Sequence, residues 1–343
     1  MVKNHAVEVL QAVLSRGASP RAEETACGIA ANLLCHARLA GALEPGIPSL
    51  LSGVASVLED SVSTAALTEA CRAMAAAAQA AISGRFPGQW QHRLVGEGLL
   101  SRLVWMVDNS LDAALVANAL ELAGCAACMS ELAVQRLLQH GLAAAAAAHL
   151  SGFCRAMVSD DGAAEPSASE AVADASLRVI EVIAAHDDGA RAIEELPSLD
   201  MELVALLSGA DSMALRANAV IVMAGRPFEK LKRVLLETPS AVGALLSILE
   251  TVEQDASDAR KASADVINRL IHQAVQCGAD GESAVVAVSQ KMESFASLEF
   301  IPEGCRDPLL EIVEFILKSK DQCGHQSPHT PQLLAYRTLL LSR

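Results

Sequence analysis

Two cysteines three residues apart, Cys125 and Cys128 in the stretch CAAC, are the first place to look for chemistry. On a strand–turn–helix background this spacing carries thiol–disulfide exchange, because a thiol at a helix N-terminus ionises easily. Here the pair sits inside LVANALELAGCAACM, a run of small apolar residues with no strand before it. The expectation is therefore two small core residues. Cys305, Cys323, His325 and His329 could be imagined around zinc, but a structural zinc site needs four ligands at tight paired spacing. A helix expected over 308–318 separates the two cysteines, so no metal site is assigned. His186-Asp187-Asp188 and Asp160-Asp161 pair carboxylates, yet they fall near helix ends where a solvated loop accounts for them. No nucleophile elbow, phosphate loop or dinucleotide fingerprint occurs in a strand–turn–helix context. The sequence thus points to no catalytic residue, no cofactor and no enzyme.

A second set of polar residues recurs along the chain: Asn32, Arg72, Asn118, Arg178, Arg216 and Asn268. If these line a concave face, the arginines could hold carboxylates of a partner by bidentate hydrogen bonds. The alternative is that they cap neighbouring turns or pair with local acids such as Glu69 and Glu181. Trp105 stands at helical spacing with Leu99, Arg102 and Met106 and is expected in the core. Trp90 follows Pro87-Gly88 in a turn, where either exposure or burial is compatible with its position.

The elements that must position these residues are helices. Roughly a fifth of the chain is Ala, the best helix former, while aromatic residues make up 3%. Six stretches share one pattern, with small residues first and larger apolar residues at spacings of three and four. They begin EETACGIAANLLC at 23, LTEACRAMAAAAQ at 67, LVANALELAGCAA at 115, ADASLRVIEVIAA at 173, ALRANAVIVMAGR at 214 and RKASADVINRLIH at 260. The starts are separated by about 44, 48, 58, 41 and 46 residues, near the period of roughly 40–47 of armadillo and HEAT repeats. Bulkier helices alternate with them, as in IPSLLSGVASVLE (47–59), LLSRLVWMVDN (99–109), DMELVALLSG (200–209) and SAVGALLSILETV (240–252).

This alternation explains the crowd of small residues at Cys27, Gly28, Ala30, Ala31 and Asn32. A helix flanked on both sides by neighbours of its own kind needs close backbone approach twice over. Ser19-Pro20, Thr238-Pro239 and Asp307-Pro308 read as helix starts, Ser167 with Glu170 as a capping box, and Gly84, Gly209 and Gly225 as helix ends. The predicted division is N-terminal repeats over 1–157, an acidic polar loop at 158–169, and C-terminal repeats over 170–320. A tail over 321–343 carries a short helix at 332–341. The fold class is all-α, an armadillo/HEAT-like superhelix of about six or seven stacked helical hairpins.

Charge narrows the partners. The formal net charge is −15, from 41 acidic and 26 basic residues, which argues against nucleic acid and anionic membrane. No run of 18 uncharged apolar residues occurs, and Glu8 interrupts the apolar N-terminal stretch, so neither a spanning helix nor a signal peptide is expected. Nine cysteines without regular spacing fit reduced thiols in an intracellular protein.

The N-terminal residues also resemble those of the serum amyloid A-like proteins, a family of armadillo-type fold. The likeness is carried by Asn4, the Val13-Leu14 pair, Pro20-Arg21, Glu24, Gly28, Ile29, Asn32 and Cys35. It continues through Asp60-Ser61, Leu67, Glu69, Arg72, Gln79 and Trp90. It covers about the first 130 residues; beyond them only the repeat architecture is shared. The resemblance implies a non-enzymatic intracellular protein, nuclear or nucleocytoplasmic, linked to cell proliferation. That family's acidic N-terminal extension has no counterpart before the first helix here, which raises the expectation of a truncated N-terminus. The expected function is a protein-binding scaffold or adaptor working through its concave groove. An armadillo-type nucleotide-exchange factor for the Hsp70 chaperone is the alternative. A nuclear import receptor is disfavoured, because two Trp in the whole chain cannot supply regularly repeated Trp–Asn pairs.

Overall fold

Apolar residues at a 3.6-residue period build nineteen helices among the described residues of the computed structural model. Those residues are 2–15, 19–36, 46–84, 90–158, 166–251, 256–274, 279–298, 301–302, 304–323 and 330–342. Most of the 158–169 loop, Asp160, Asp161, His325 and His329 lie outside them. The chain divides into two compact units, Met1–Leu196 and Pro197–Arg343. The sequence had placed the break at 158–169. Instead, the helix Pro166–Ala184 packs on Ala113–Met129 of the preceding repeat, so the first unit continues past that segment.

In the first unit the helices are α1 (Val2–Leu14), α2 (Pro20–Cys35), α3 (Ile47–Asp60), α4 (Thr64–Ile82), α5 (Gln91–Leu94) and α6 (Glu97–Asn109). They are followed by α7 (Ala113–Met129), α8 (Glu131–Gln139), α9 (Leu142–Val158), α10 (Pro166–Ala184) and α11 (Asp187–Glu194). The small-residue helices form one row, α2 on α4, α4 on α7, α7 on α10. The bulkier α1, α3 and α6, and the alanine-rich α9, back them.

The row is held by smallness. Ala66, Ala70, Cys71, Ala73, Ala77 and Ala78 are fully buried on α4, which is covered from both sides. At Gly28 a Cβ would stand 3.2 Å from Glu69 Oε2, so α2 and α4 approach closely there. Ser63 and Asp112 cap α4 and α7, accepting from Ala66 N–H at 3.4 Å and Leu115 N–H at 2.9 Å. Ser167, expected to cap, lies inside α10, which opens on Pro166. Pro suits a first helical position because it has no N–H to leave unpaired.

The second unit holds α12 (Leu199–Gly209), α13 (Met213–Ala224), α14 (Phe228–Glu237), α15 (Pro239–Leu249), α16 (Ser257–Ala274), α17 (Ala279–Leu298), α18 (Arg306–Cys323) and α19 (Thr330–Ser342). Here α16 packs against α13 on one side and α18 on the other, with α12, α15 and α17 behind. The expected helix 308–318 is longer at both ends, and the tail helix expected over 332–341 is α19, packed on α17 and α18.

Within each unit, long polar side chains tie one repeat to the next at sequence separations of 40 to 45 residues. Arg93 donates to Ser52 Oγ at 2.7 Å, Arg102 to the Ser61 carbonyl at 3.2 Å and Arg136 to the Val95 carbonyl at 2.6 Å. A ring nitrogen of His149 meets the Val107 carbonyl at 2.8 Å. In the second unit Arg269 donates to the Ala224 and Arg226 carbonyls, both at 2.8 Å. These carbonyls stand at helix ends or in turns, where the helical ladder leaves acceptors unpaired. The repeat period is thus written in hydrogen bonds as well as in packing. Among the described residues no single helix is long and apolar enough to cross a membrane.

Candidate functional site: a groove on the small-residue row

A groove of about 510 Å³ opens where α4, α7 and α10 meet. Gln79 and Ile82 come from α4. Ala117, Asn118, Glu121, Gly124, Cys125 and Cys128 form the stripe that α7 turns toward it, at the three- and four-residue spacing of one helix face. Ala171, Asp174, Ala175, Arg178, Val179, Glu181 and Val182 line it from α10. Small residues make the depression: at Gly124 a Cβ would already reach Val179 Cγ2 at 3.4 Å.

The groove is acidic on balance, with Glu121, Asp174 and Glu181 against Arg178. Arg178 is itself engaged, donating to Asp174 at 2.8 Å across one helical turn. Cys125 donates its Sγ–H to Gln79 Oε1 at 3.5 Å, bridging α7 and α4. Its thiol is pushed up to about 12, first by burial and then by Glu121 and Cys128. Cys128 is raised too, by burial and then by Glu181. Disulfide exchange needs a readily formed thiolate, so these environments work against it. Cys125 is buried in the groove wall, as expected of a core residue, whereas Cys128 lines the groove from an exposed position and corrects that expectation.

The six polar residues fall into separate places. Asn118 and Arg178 share the groove. Asn32 and Arg72 meet at the α2–α4 contact, where Arg72 Nη1 donates to Asn32 Oδ1 at 3.0 Å. Arg72 Nε and Nη2 both donate to Glu69 Oε2, at 2.9 and 2.5 Å. In the second unit, Arg216 Nε donates to the Ala210 carbonyl at 2.5 Å, closing the turn before its own helix. Asn268 donates to Glu311 Oε2 on α18. The three arginines therefore hold local acids or turn carbonyls. From the sequence Glu181 stood out only as a local partner for an arginine, and Glu121 and Asp174 did not stand out, although Glu121 lies one turn from both Asn118 and Cys125 and Asp174 one turn from Arg178.

Trp105 corrects the core expectation: it is 51% exposed, whereas Trp90 is buried. Among the described residues no three His, Cys, Asp or Glu side chains gather as metal ligands would. Cys305 is buried, and the side chains of the other three residues considered for zinc lie outside the description. Asp188 pairs with Arg191 at 2.6 Å on an exposed face, the solvated role expected of that acidic pair.

No protein-family model and no curated protein matches the sequence. Solved structures do match the fold. A designed armadillo repeat protein, YIII(Dq)4CqI, superposes with a TM-score of 0.55 at 19% identity, covering 76% of this chain and 98% of that one. SYS-1 superposes with a TM-score of 0.60 at 12% identity over 99% of this chain and 62% of its own. A further designed armadillo protein, YIII(Dq.V1)4CPAF, solved in complex with the peptide (KR)4, gives 0.50 at 20% identity over 77% and 98%. At these identities the likeness is one of fold. The chain is an all-α repeat protein of armadillo type.

Proposed function

We propose that the protein is a non-catalytic scaffold that takes an extended, basic segment of a partner protein in the α4–α7–α10 groove. One observation carries this reading: three carboxylates line the groove, and the sole guanidinium among its lining residues is already paired with one of them. Solenoids bind extended partners on the face made by their repeated inner helices. Charge complementarity then selects the partner. This reverses the sign expected from the arginines alone, which pointed to acidic partners. The (KR)4 complex of a designed protein of the same fold supports the size and charge of the proposed occupant. A nuclear, proliferation-linked role, implied by the resemblance to serum amyloid A-like proteins, is the cellular setting we propose for it.

Fluorescence anisotropy with labelled (KR)4 and (DE)4 tests the proposal. Wild type binds (KR)4 and not (DE)4, and the affinity falls as salt screens the acids. Glu121→Lys with Glu181→Lys weakens (KR)4 binding at least tenfold, with helicity unchanged by circular dichroism. Arg178→Gln strengthens it, because Asp174 is released. Preference for (DE)4, or indifference to all three substitutions, overturns the reading.

A further inference from the structure

The three-residue turns before α4 and α7 are built alike, and each throws an apolar side chain outward. In Ser61-Val62-Ser63, Ser63 N–H donates to Ser61 Oγ at 3.3 Å. In Ser110-Leu111-Asp112, Asp112 N–H donates to Ser110 Oγ at 3.1 Å. The flanking residues do the turning and capping, so nothing in the turn requires an apolar residue at its centre. Yet Val62 is 90% and Leu111 103% exposed, the two highest values among the large hydrophobic side chains described.

Arg102 and Trp105 on α6 lie between these turns. The Arg102 guanidinium donates to the Ser61 carbonyl at 3.2 Å and stacks on the Trp105 ring, 4.5 Å from its centroid. The Arg102 side chain is thereby anchored on one repeat while holding the indole of the next. Its Nε is buried and has no hydrogen-bond partner. Trp and Arg are enriched in binding hot spots, and here the two are held rigid against each other between two exposed aliphatic side chains.

We infer that Val62, Arg102, Trp105 and Leu111 form a second docking edge, separate from the groove, for an amphipathic segment of another protein with apolar and Lys/Arg side chains. Charge decides the occupant. Asp60, Asp108 and Asp112 border the apolar residues and are all exposed, while Arg102 spends its cation on Trp105. A second copy of the chain would bring these acids against their own kind, on a protein of net charge −15. An anionic membrane surface meets the same repulsion. A basic rim around an apolar stripe complements the edge on both counts.

The test uses Trp105 as reporter, since Trp90 is buried. The probe is a 14-residue amphipathic peptide of Leu and Lys, compared with its Leu/Glu counterpart. The Leu/Lys peptide shifts the tryptophan emission to the blue and protects the accessible indole from acrylamide, while the Leu/Glu peptide does neither. Val62→Ser with Leu111→Ser, both on exposed turn positions, weakens binding at least tenfold. Saturating (KR)4 and the Glu121→Lys variant leave it unchanged, which separates this edge from the groove. The inference is overturned if Trp105 stays quenchable with peptide bound, or if the double serine variant binds equally well. It is overturned too if sedimentation shows a dimer that Leu111→Ser dissolves, or if phosphatidylserine vesicles shift Trp105 where the peptide does not.

Discussion

Arg226 in the second unit and Arg72 in the first each hold a carboxylate, and they do opposite work. Arg226 Nε donates to Asp200 Oδ1 at 2.6 Å with the two side chains 3% and 10% exposed. Arg72 donates to Glu69 with side chains 37% and 28% exposed, and it reaches on to Asn32. The first unit packs its inner row of helices through Ala, Cys and Gly and keeps its charges at the surface. The second unit places an ion pair inside. Burying charge costs desolvation that only a well-made pair recovers, whereas surface charge stays available to a partner. The unit with the acidic groove is thus also the one whose packing asks least of its charged residues.

Breaking the buried pair should have the largest effect. Arg226→Met leaves Asp200 buried without its cation, and the expected loss is about 3–5 kcal/mol. Replacing both partners, Arg226→Met with Asp200→Leu, removes the stranded charge and should restore most of that loss. Urea unfolding of the three variants checks it. If the single substitution costs no more than a surface pair would, the contrast between the two units fails.

A buried charge can also be created in the small-residue row of the first unit. Cys27 is fully buried on α2, and its thiol is pushed up to about 12 by burial and then by Glu23 and Glu69. Its folded pKa is therefore above the unfolded value of about 9, so the folded state holds the proton more tightly. The resulting stability is complete below about pH 9 and declines from there toward pH 12. Each such thiol steepens the alkaline fall by about 1 kcal/mol per pH unit. Cys27→Ala should flatten the fall between pH 9.5 and 11, read as the urea midpoint at each pH. An unchanged slope would mean that Cys27 is not as dry as its packing implies.

The repeat architecture was legible because it rests on composition: small residues recur about every 45 positions, and smallness is what neighbouring inner helices require. The orientation of Trp105 was legible as well, in a wider register than its spacing to Leu99, Arg102 and Met106. On α6, Leu99, Leu100, Leu103, Val104, Met106 and Val107 form the buried stripe, so Trp105 falls in line with Ser101 and Asp108 on the outer one. The engagement of the arginines lay in local pairs. Arg72 lies three residues after Glu69 and Arg178 four after Asp174, spacings at which helical neighbours meet. The two-unit division was hidden, since the packing of α10 on α7 depends on contacts across an intervening segment that composition marks as a break.

The smallest effect should come from Arg72, and its smallness is the sharper test. Its pair with Glu69 is partly exposed and spans a single turn, so the coupling in a double-mutant cycle with Glu69→Gln should be under about 1 kcal/mol. Arg72→Gln alone should cost little more, because Asn32 can turn to water once its donor is gone. Coupling above that size, approaching the Asp200–Arg226 value, would mean that Arg72 locks α2 onto α4. The polar residues of the small-residue row would then be structural ties, like Arg93 and Arg136 behind them. Coupling within the expected range instead leaves Arg72 and Glu69 free to be rearranged by a bound segment at little cost to the fold, as binding along these inner helices requires.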